Sequence, residues 1–194
     1  MSIKTFRRLF IEWNGKVVIL SDIHYPNCNI NEINEILIRE NPSLIVLLGD
    51  IITERETDYR IFINKLKIRR NIIYIRGDED KVKGDTDVLK LRNNNKTYLL
   101  LHGHQYFDEK YEFRIARFLK KINRNLPPLL FCLAFKVLLR DFKDYIILGH
   151  SHALVNFKNI MCVNAGTMST ISNLYNDRGY VVISNKGIKI NKLS

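Results

Sequence analysis

The sequence predicts an α/β fold, a two-sheet α/β sandwich with helices on its outer faces and a helical insertion. Three observations support this prediction. Short, almost wholly apolar runs recur along the chain, amphipathic helical segments separate the first of them, and after about residue 90 the runs become closely spaced. Alternating strands and helices imply a parallel sheet covered on both faces, which explains why the runs are apolar. We expect one domain over residues 1–194, with the insertion at about 108–143.

The first half of the chain alternates between predicted strands and predicted helices. The strands are expected at Lys16–Leu20, Leu44–Leu48 and Ile72–Ile75, and the helices at Asn29–Glu40 and Asp58–Arg70. Asn31 and Asp58 are the expected N-cap residues, because short polar side chains accept hydrogen bonds from the first helical turn.

The second half combines two helices with strands that are in part antiparallel. Strands are expected at Thr97–Leu101, Tyr145–Leu148, Leu154–Phe157, Ile160–Val163, Gly179–Ile183 and Ile188–Leu193. Between the first two of these strands, Glu109–Lys143 reads as two helices interrupted at Leu126-Pro127-Pro128.

Composition indicates a protein with a sizeable core and a basic surface. The hydrophobic fraction is 46%, and the formal net charge is +11 with a sequence pI near 9.6. Such a charge attracts polyanions such as nucleic acid or nucleotide, although a compositional bias towards lysine would produce it equally well. Three widely spaced cysteines argue against a disulfide framework and for a reducing compartment. No stretch has the length of a membrane span, so we expect a cytoplasmic protein.

Five predicted strand ends share one signature, in which an apolar run stops and a metal-capable residue follows at once. They carry Asp22-Ile-His24, Gly49-Asp50, Gly77-Asp78-Glu79-Asp80, His102-Gly-His104 and Gly149-His150-Ser-His152. In α/β sheets, ligands bind at the carboxyl ends of strands, so these segments should converge. A spacing of two residues in an extended chain would point both side chains of such a pair the same way. All five histidines of the chain fall in these motifs.

The ordered set of motifs, from about residue 16 to about residue 167, resembles the calcineurin-like metallophosphoesterases. Their pattern is D-x-H, G-D, G-N-[H/C]-D, H-G-H and G-H-x-H, and Asn164-Ala-Gly-Thr167 resembles the Asn-Pro-Gly-Ser turn that often follows. The layout is similar to small bacterial and archaeal phosphodiesterases of this superfamily. The helical insertion also resembles that of the branch that hydrolyses UDP-diacylglucosamine pyrophosphate.

The resemblance implies a pair of divalent metal ions and a ligand set for each. Asp22, His24 and His152 would hold the first ion, Asp78, His102 and His150 the second, and Asp50 would bridge both. We expect Mn²⁺, with Fe²⁺, Zn²⁺ or Ni²⁺ as alternatives, because mixed Asp and His ligands suit such ions. The implied reaction is hydrolysis of phosphodiester or pyrophosphate bonds by attack of a hydroxide that bridges the metals.

The chain departs from the family pattern at two neighbouring positions. Asp78 stands where the family has Asn, and Glu79 stands where it commonly has His or Cys. Glu79 would protonate the leaving group only with a raised pKa, and otherwise it is a solvated or supporting residue. His104 would contact substrate phosphate or brace His102. The candidate catalytic residues are therefore Asp50, Asp78, Glu79 and His104.

The insertion leaves partners and function open. The segment between residues 107 and 143 contains nine Lys or Arg and four acidic residues. A cap that grips an anionic or lipid-bearing substrate at the membrane surface, a homodimer interface, and ordinary packing on the sheet all fit this pattern. Two alternatives to a phosphoesterase acting on a soluble phosphate ester follow. One is a catalytically weak metal-binding scaffold for a partner or nucleic acid, and the other is a membrane-surface pyrophosphatase acting on a lipid-linked nucleotide.

Overall fold

Two mixed β-sheets face each other in the computed structural model, which describes residues 6–105 and 109–193 and, within 109–113, the backbone alone. The five-stranded sheet has the order β11-β10-β2-β3-β4, with strands β2 (Val17–Ser21), β3 (Leu44–Leu48), β4 (Ile72–Ile75), β10 (Gly179–Ser184) and β11 (Gly187–Lys192). The six-stranded sheet has the order β1-β5-β6-β7-β9-β8, with strands β1 (Arg8–Glu12), β5 (Val88–Asn93), β6 (Lys96–Leu101), β7 (Tyr145–Leu148), β8 (Leu154–Phe157) and β9 (Cys162–Ala165). The predicted two-sheet α/β sandwich is confirmed.

Parallel pairing places the strand ends that carry the five motifs at one side of the sandwich. Strands β2, β3 and β4 pair in parallel in one sheet, and β6 and β7 pair in parallel in the other. The motifs of the sequence follow these five strands directly. Their carboxyl ends therefore lie along neighbouring edges of the two sheets.

Three apolar layers hold the helices and sheets together. The central layer lies between the sheets and is built from both, for example from Ile19 and Val46 of one and Leu100 and Ile147 of the other. The helices α1 (Ile30–Glu40) and α2 (Asp58–Lys65) cover the outer face of the five-stranded sheet. In the insertion, α3 (Glu109–Ile122) is followed by α4 (Leu126–Leu139), and α4 covers the outer face of the six-stranded sheet.

The helix starts differ from the predicted caps by one or two residues. The side chain of Asn29, not Asn31, caps α1, since its oxygen accepts from the backbone N–H groups of residues 31 and 32 at 3.1 and 3.3 Å. Asp58 is the first residue inside α2, after Thr57. The helix ends at Lys65 and not at Arg70, because Leu66 adopts an extended backbone.

The two helices predicted for the insertion are present. The predicted start of the insertion, at Asp108, lies outside the described residues. The two prolines lie in the first turn of α4, where a missing N–H costs no hydrogen bond. The expectation of no disulfide is wrong, because Cys132 of α4 and Cys162 of β9 are bonded across a Cα separation of 6.0 Å. Thirty residues separate them in sequence, so only the packing of α4 on the sheet brings them together. Among the described residues, no helix has both the length and the apolar character needed to cross a membrane.

Candidate metal centre

The structure brings all seven predicted ligands to the carboxyl ends of the five parallel strands. Candidate ligand atoms of Asp50, Asp78, His102 and His150 lie within 4.8 Å of one another, and so do those of Asp22, His24 and His152. A third such group combines His24, Asp50 and Glu79. Asp50 thus belongs to one group with His102 and His150 and to another group with His24.

The backbone that carries these side chains is left-handed and not extended. Five of the seven residues have positive φ angles of 50 to 61°: Asp22, His24, Asp50, His150 and His152. The expected extended spacing was therefore the wrong reason for the convergence. Strands β2, β3 and β7 thus turn sharply at their first ligands, Asp22, Asp50 and His150, in a conformation that Asp and His tolerate better than most residues.

The carboxylate of Asp22 is held by one oxygen and open at the other. Its Oδ2 contacts the Ser21 hydroxyl and accepts from the backbone N–H of His150 at 3.2 Å. Its Oδ1 is buried, lies 3.2 Å from Nε2 of His152, and has no hydrogen bond. The Thr167 hydroxyl, within the predicted turn after the last motif, donates to the Asp22 carbonyl at 2.8 Å.

His102 is fully buried and presents one ring nitrogen to two carboxylates. Its Nδ1 lies 3.3 Å from the carbonyl of Leu48, which favours a proton on that nitrogen. Its Nε2 lies 3.2 Å from Oδ2 of Asp50 and 3.1 Å from Oδ1 of Asp78, without hydrogen-bond geometry. Nδ1 of His150 lies 3.3 Å from the same Asp78 oxygen.

Burial and neighbouring charges shift the acidity of both carboxyl groups. Burial alone would raise the pKa of Asp22, but the His152 and His102 imidazoles lower that pKa to about 2. Burial also opposes ionisation of Asp78, and the neighbouring imidazoles of His102 and His150 overcome it and hold the pKa of Asp78 far below its ordinary value. Both groups are therefore carboxylates at neutral pH, the state in which they ligate cations.

The pKa values of the two histidines in the His-Gly-His motif are shifted in opposite directions. Burial would lower the pKa of His102, but Asp50 and Asp22 raise it well above the ordinary value. Burial lowers the pKa of His104 to about 4, and the charge of His102 adds to that effect. Nδ1 of His104 lies 3.8 Å from Oδ1 of Asp78, so this side chain borders the site without joining a ligand group.

Glu79 lies beside His24, with Oε2 3.3 Å from Nδ1 of that ring. Its backbone N–H donates to Oδ1 of Asp50 at 3.0 Å. About half of its side chain is exposed, so Glu79 approaches His24 from the solvent side.

Sequence reasoning missed the role of Asp80. Its two buried oxygens accept from the backbone N–H groups of residues 50, 51, 52 and 77 at 2.7 to 2.9 Å, and from the Tyr74 hydroxyl. Asp80 thereby ties the loop of Asp50 to the loop of Asp78. A carboxylate three residues after a glycine was the only signal in the sequence.

Two glycines are required by close approach. A Cβ at Gly49 would lie 2.1 Å from Nδ1 of His102, and a Cβ at Gly77 would lie 2.1 Å from Oδ1 of Asp50. Any larger residue at either position would displace a candidate ligand.

The residues present fit a pair of divalent cations. Buried ring nitrogens of His24, His102 and His152 and one oxygen of Asp22 have no hydrogen-bond partner in the described structure. A buried polar atom without a partner costs free energy, so each of these atoms needs one. A bound cation would serve as that partner for the oxygen and for ring nitrogens without a proton.

Comparisons with known proteins agree with this architecture. The model of the calcineurin-like phosphoesterase superfamily domain matches residues 16–186. No curated protein sequence matches the chain. Vacuolar Protein Sorting 29 (Vps29) from Cryptosporidium parvum has a TM-score of 0.60 at 13% identity, over 93% of this chain and 98% of that chain. The E. coli phosphoesterase Yfce has a TM-score of 0.58 at 18% identity, over 92% and 97%. An archaeal phosphodiesterase has a TM-score of 0.57 at 17% identity, over 92% and 99%. At these identities the solved structures show a shared fold, and the family match over most of the chain shows that it belongs to the calcineurin-like phosphoesterase superfamily.

Proposed function

We propose that the protein is a two-metal-dependent phosphoesterase that hydrolyses phosphodiester or pyrophosphate bonds. One observation supports this most strongly. Asp50 shares one ligand group with Asp78, His102 and His150, and another with His24 and Glu79. A carboxylate placed between two groups can give one oxygen to each of two cations. Asp22, His24 and His152 would hold the first ion, and Asp78, His102 and His150 the second.

Two bound cations would neutralise phosphate oxygens and lower the pKa of a water molecule at the site. The protein contributes fixed positions for the ligands. The Leu48 carbonyl orients the His102 ring, and the His150 N–H and Ser21 hydroxyl orient Asp22. Mn²⁺ remains the ion we propose, since the ligands mix carboxylates and imidazoles.

Position 79 bears on the choice of substrate. Glu79 approaches His24 and therefore acts in this proposal as a support or extra ligand for the first ion, and not as an acid for the leaving group. His104 lies next to Asp78 at the border of the site, where it can contact a substrate phosphate. Without a dedicated acid, substrates with a stable leaving group, such as pyrophosphates and activated diesters, are favoured.

The experiment compares hydrolysis of bis-p-nitrophenyl phosphate and p-nitrophenyl phosphate after chelation and reloading with Mn²⁺. Asp50→Asn should abolish turnover, and Asp58→Asn, at the start of α2, is the matched control that should leave it unchanged. Turnover of the diester that requires both metal and Asp50 supports the proposal. Two ions bound per chain without turnover of either substrate would contradict it.

That second outcome would favour a metal-binding scaffold, the alternative function. The Asp78-Glu79 departure and the shared fold with Vps29 of Cryptosporidium parvum are the observations behind it. The cytoplasmic location, a lipid-linked nucleotide substrate, nucleic-acid binding and a homodimer stay predictions.

A further inference from the structure

Helix α3 presents a row of large apolar side chains to solvent. Ile115, Phe118 and Ile122 are 60, 65 and 66% exposed. Their spacing of three and four residues places them on one face of the helix. An exposed row of this kind on a folded domain marks a surface that another body covers.

A row of basic side chains runs beside the apolar row. Arg114, Arg117 and Lys121 precede the three apolar residues by one position each, so they lie about 100° around the same helix. All three are exposed, and none has an acidic partner among the described residues. From residue 114 to residue 125 the sequence has no acidic residue. An apolar face flanked by cations is the pattern of helices that lie in a membrane interface.

Helix α4 and Phe142, three residues after its end, carry further exposed apolar side chains of the insertion. Leu130, Leu133 and Val137 repeat the same spacing on α4 and are 42, 40 and 63% exposed, and Phe142 is 63% exposed. Helices α3 and α4 pack against each other. Of the twelve large apolar residues that the described structure exposes, eight lie between residues 115 and 142. The exposed apolar surface is therefore concentrated in the insertion.

We propose that the helical pair α3–α4 docks this protein on an anionic lipid bilayer, with Ile115, Phe118 and Ile122 in the interface and Arg114, Arg117 and Lys121 at the headgroups. Charge decides between occupants. A second copy would bring the same cations close together on a chain of net charge +11, whereas anionic headgroups complement them. A nucleic acid would satisfy the cations but leave the apolar row in water.

The docked helices border the candidate metal centre. Helix α3 begins five residues after His104. On α4, the Phe131 ring stacks near the His150 ring at a centroid distance of 6.3 Å. At the end of α3, Lys120 donates to the Leu174 carbonyl and Arg124 pairs with Asp177, which fixes the helix to the loop before β10. A docked chain would thus hold its metal centre beside the docked helices.

The test is flotation of the full chain with vesicles of phosphatidylcholine, alone or mixed with phosphatidylglycerol in equal parts. We expect binding to the anionic vesicles only, weakened by salt. The apolar variant combines Ile115→Gln, Phe118→Gln and Ile122→Gln and should lower the partition coefficient at least about tenfold, because it removes apolar area but no charge. The basic variant combines Arg114→Gln, Arg117→Gln and Lys121→Gln and should lower it about fivefold per residue at low salt.

Matched controls distinguish docking from adsorption of a basic protein. Ile38→Gln with Ile61→Gln removes apolar side chains of similar exposure from α1 and α2, and Lys186→Gln with Lys189→Gln removes exposed charges elsewhere. Both controls should bind as the unchanged protein does. All variants alter exposed residues, so circular dichroism should confirm their folding.

Three results would overturn the proposal. The first is no binding to anionic vesicles. The second is binding that the apolar variant retains, which would indicate adsorption by charge alone. The third is a dimer by light scattering that the apolar variant dissociates, which would show that a second copy covers the row. None of these results depends on hydrolysis, so they leave the proposed phosphoesterase activity to its own experiment.

Discussion

Replacing Asp80 by Asn should destabilise the protein strongly, although Asp80 is not a candidate ligand. Its Oδ2 accepts from the backbone N–H groups of Asp50 and Gly77, and its Oδ1 accepts from two further N–H groups and from Tyr74. An asparagine has one acceptor oxygen, so its NH₂ group must face at least two of these donors. A buried donor without a partner costs about 1–3 kcal/mol. The free energy of unfolding should therefore fall by about 2–6 kcal/mol.

Urea denaturation followed by circular dichroism measures this change, and Tyr74→Phe is the matched control. Burial and the Asp80 carboxylate raise the pKa of the Tyr74 hydroxyl, which keeps it protonated and donating. Its removal takes away one donor and leaves no N–H group without a partner, so we expect a loss of about 1 kcal/mol. A loss below about 1 kcal/mol for Asp80→Asn, or one equal to that of Tyr74→Phe, would refute the account of Asp80 as the acceptor that holds the two loops.

Three further predictions concern the ligand loops and the free thiol. Glu79→Ala should weaken Mn²⁺ binding about tenfold in a competition with a chromogenic chelator, while Glu79→Gln, which keeps an acceptor, changes it less; equal affinities for all three proteins would remove Glu79 from the site. Gly77→Ala should lower Mn²⁺ affinity at least about tenfold, because the new Cβ would lie 2.1 Å from Oδ1 of Asp50; Gly187→Ala, at a positive φ with no atom within 4 Å of the new Cβ, is the control. Burial raises the pKa of the Cys28 thiol to about 12. Iodoacetamide at pH 8 should therefore alkylate Cys28 about a thousandfold more slowly in the native protein than in urea, and the native rate should rise about tenfold per pH unit. Similar rates in both states would contradict this.

The position of the candidate metal centre could be predicted from the sequence because two local signals coincide there. An apolar run that ends at a carboxylate or histidine marks both a buried strand and its end. Parallel pairing then brings such ends together without further information, as β2, β3 and β4 show. The seven predicted residues meet for this reason.

Features that depend on distant contacts could not be predicted in the same way. Strand β1 was missed because its apolar run is only three residues long, between Arg8 and Glu12. Strand β5 was missed because its apolar residues alternate with charged ones, and that alternation was the signal that would have found it. The bond between Cys132 and Cys162 depends on how α4 packs against β9. The role of Asp80 depends on N–H groups contributed by two separate loops.

The left-handed backbone at five of the candidate ligands connects these two kinds of feature. Each such residue costs on the order of 1–2 kcal/mol relative to a right-handed or extended conformation. Contacts outside the ligand set must offset that cost, and the structure supplies them. Asp80 accepts from the backbone N–H groups of residues 50–52 in the Asp50 loop. The Thr167 hydroxyl and the Ser169 N–H donate to the carbonyl of Asp22 at 2.8 and 3.0 Å. Because these contacts contain no candidate ligand atom, the strained loops can keep their shape before a cation arrives, and binding energy need not be spent on ordering them.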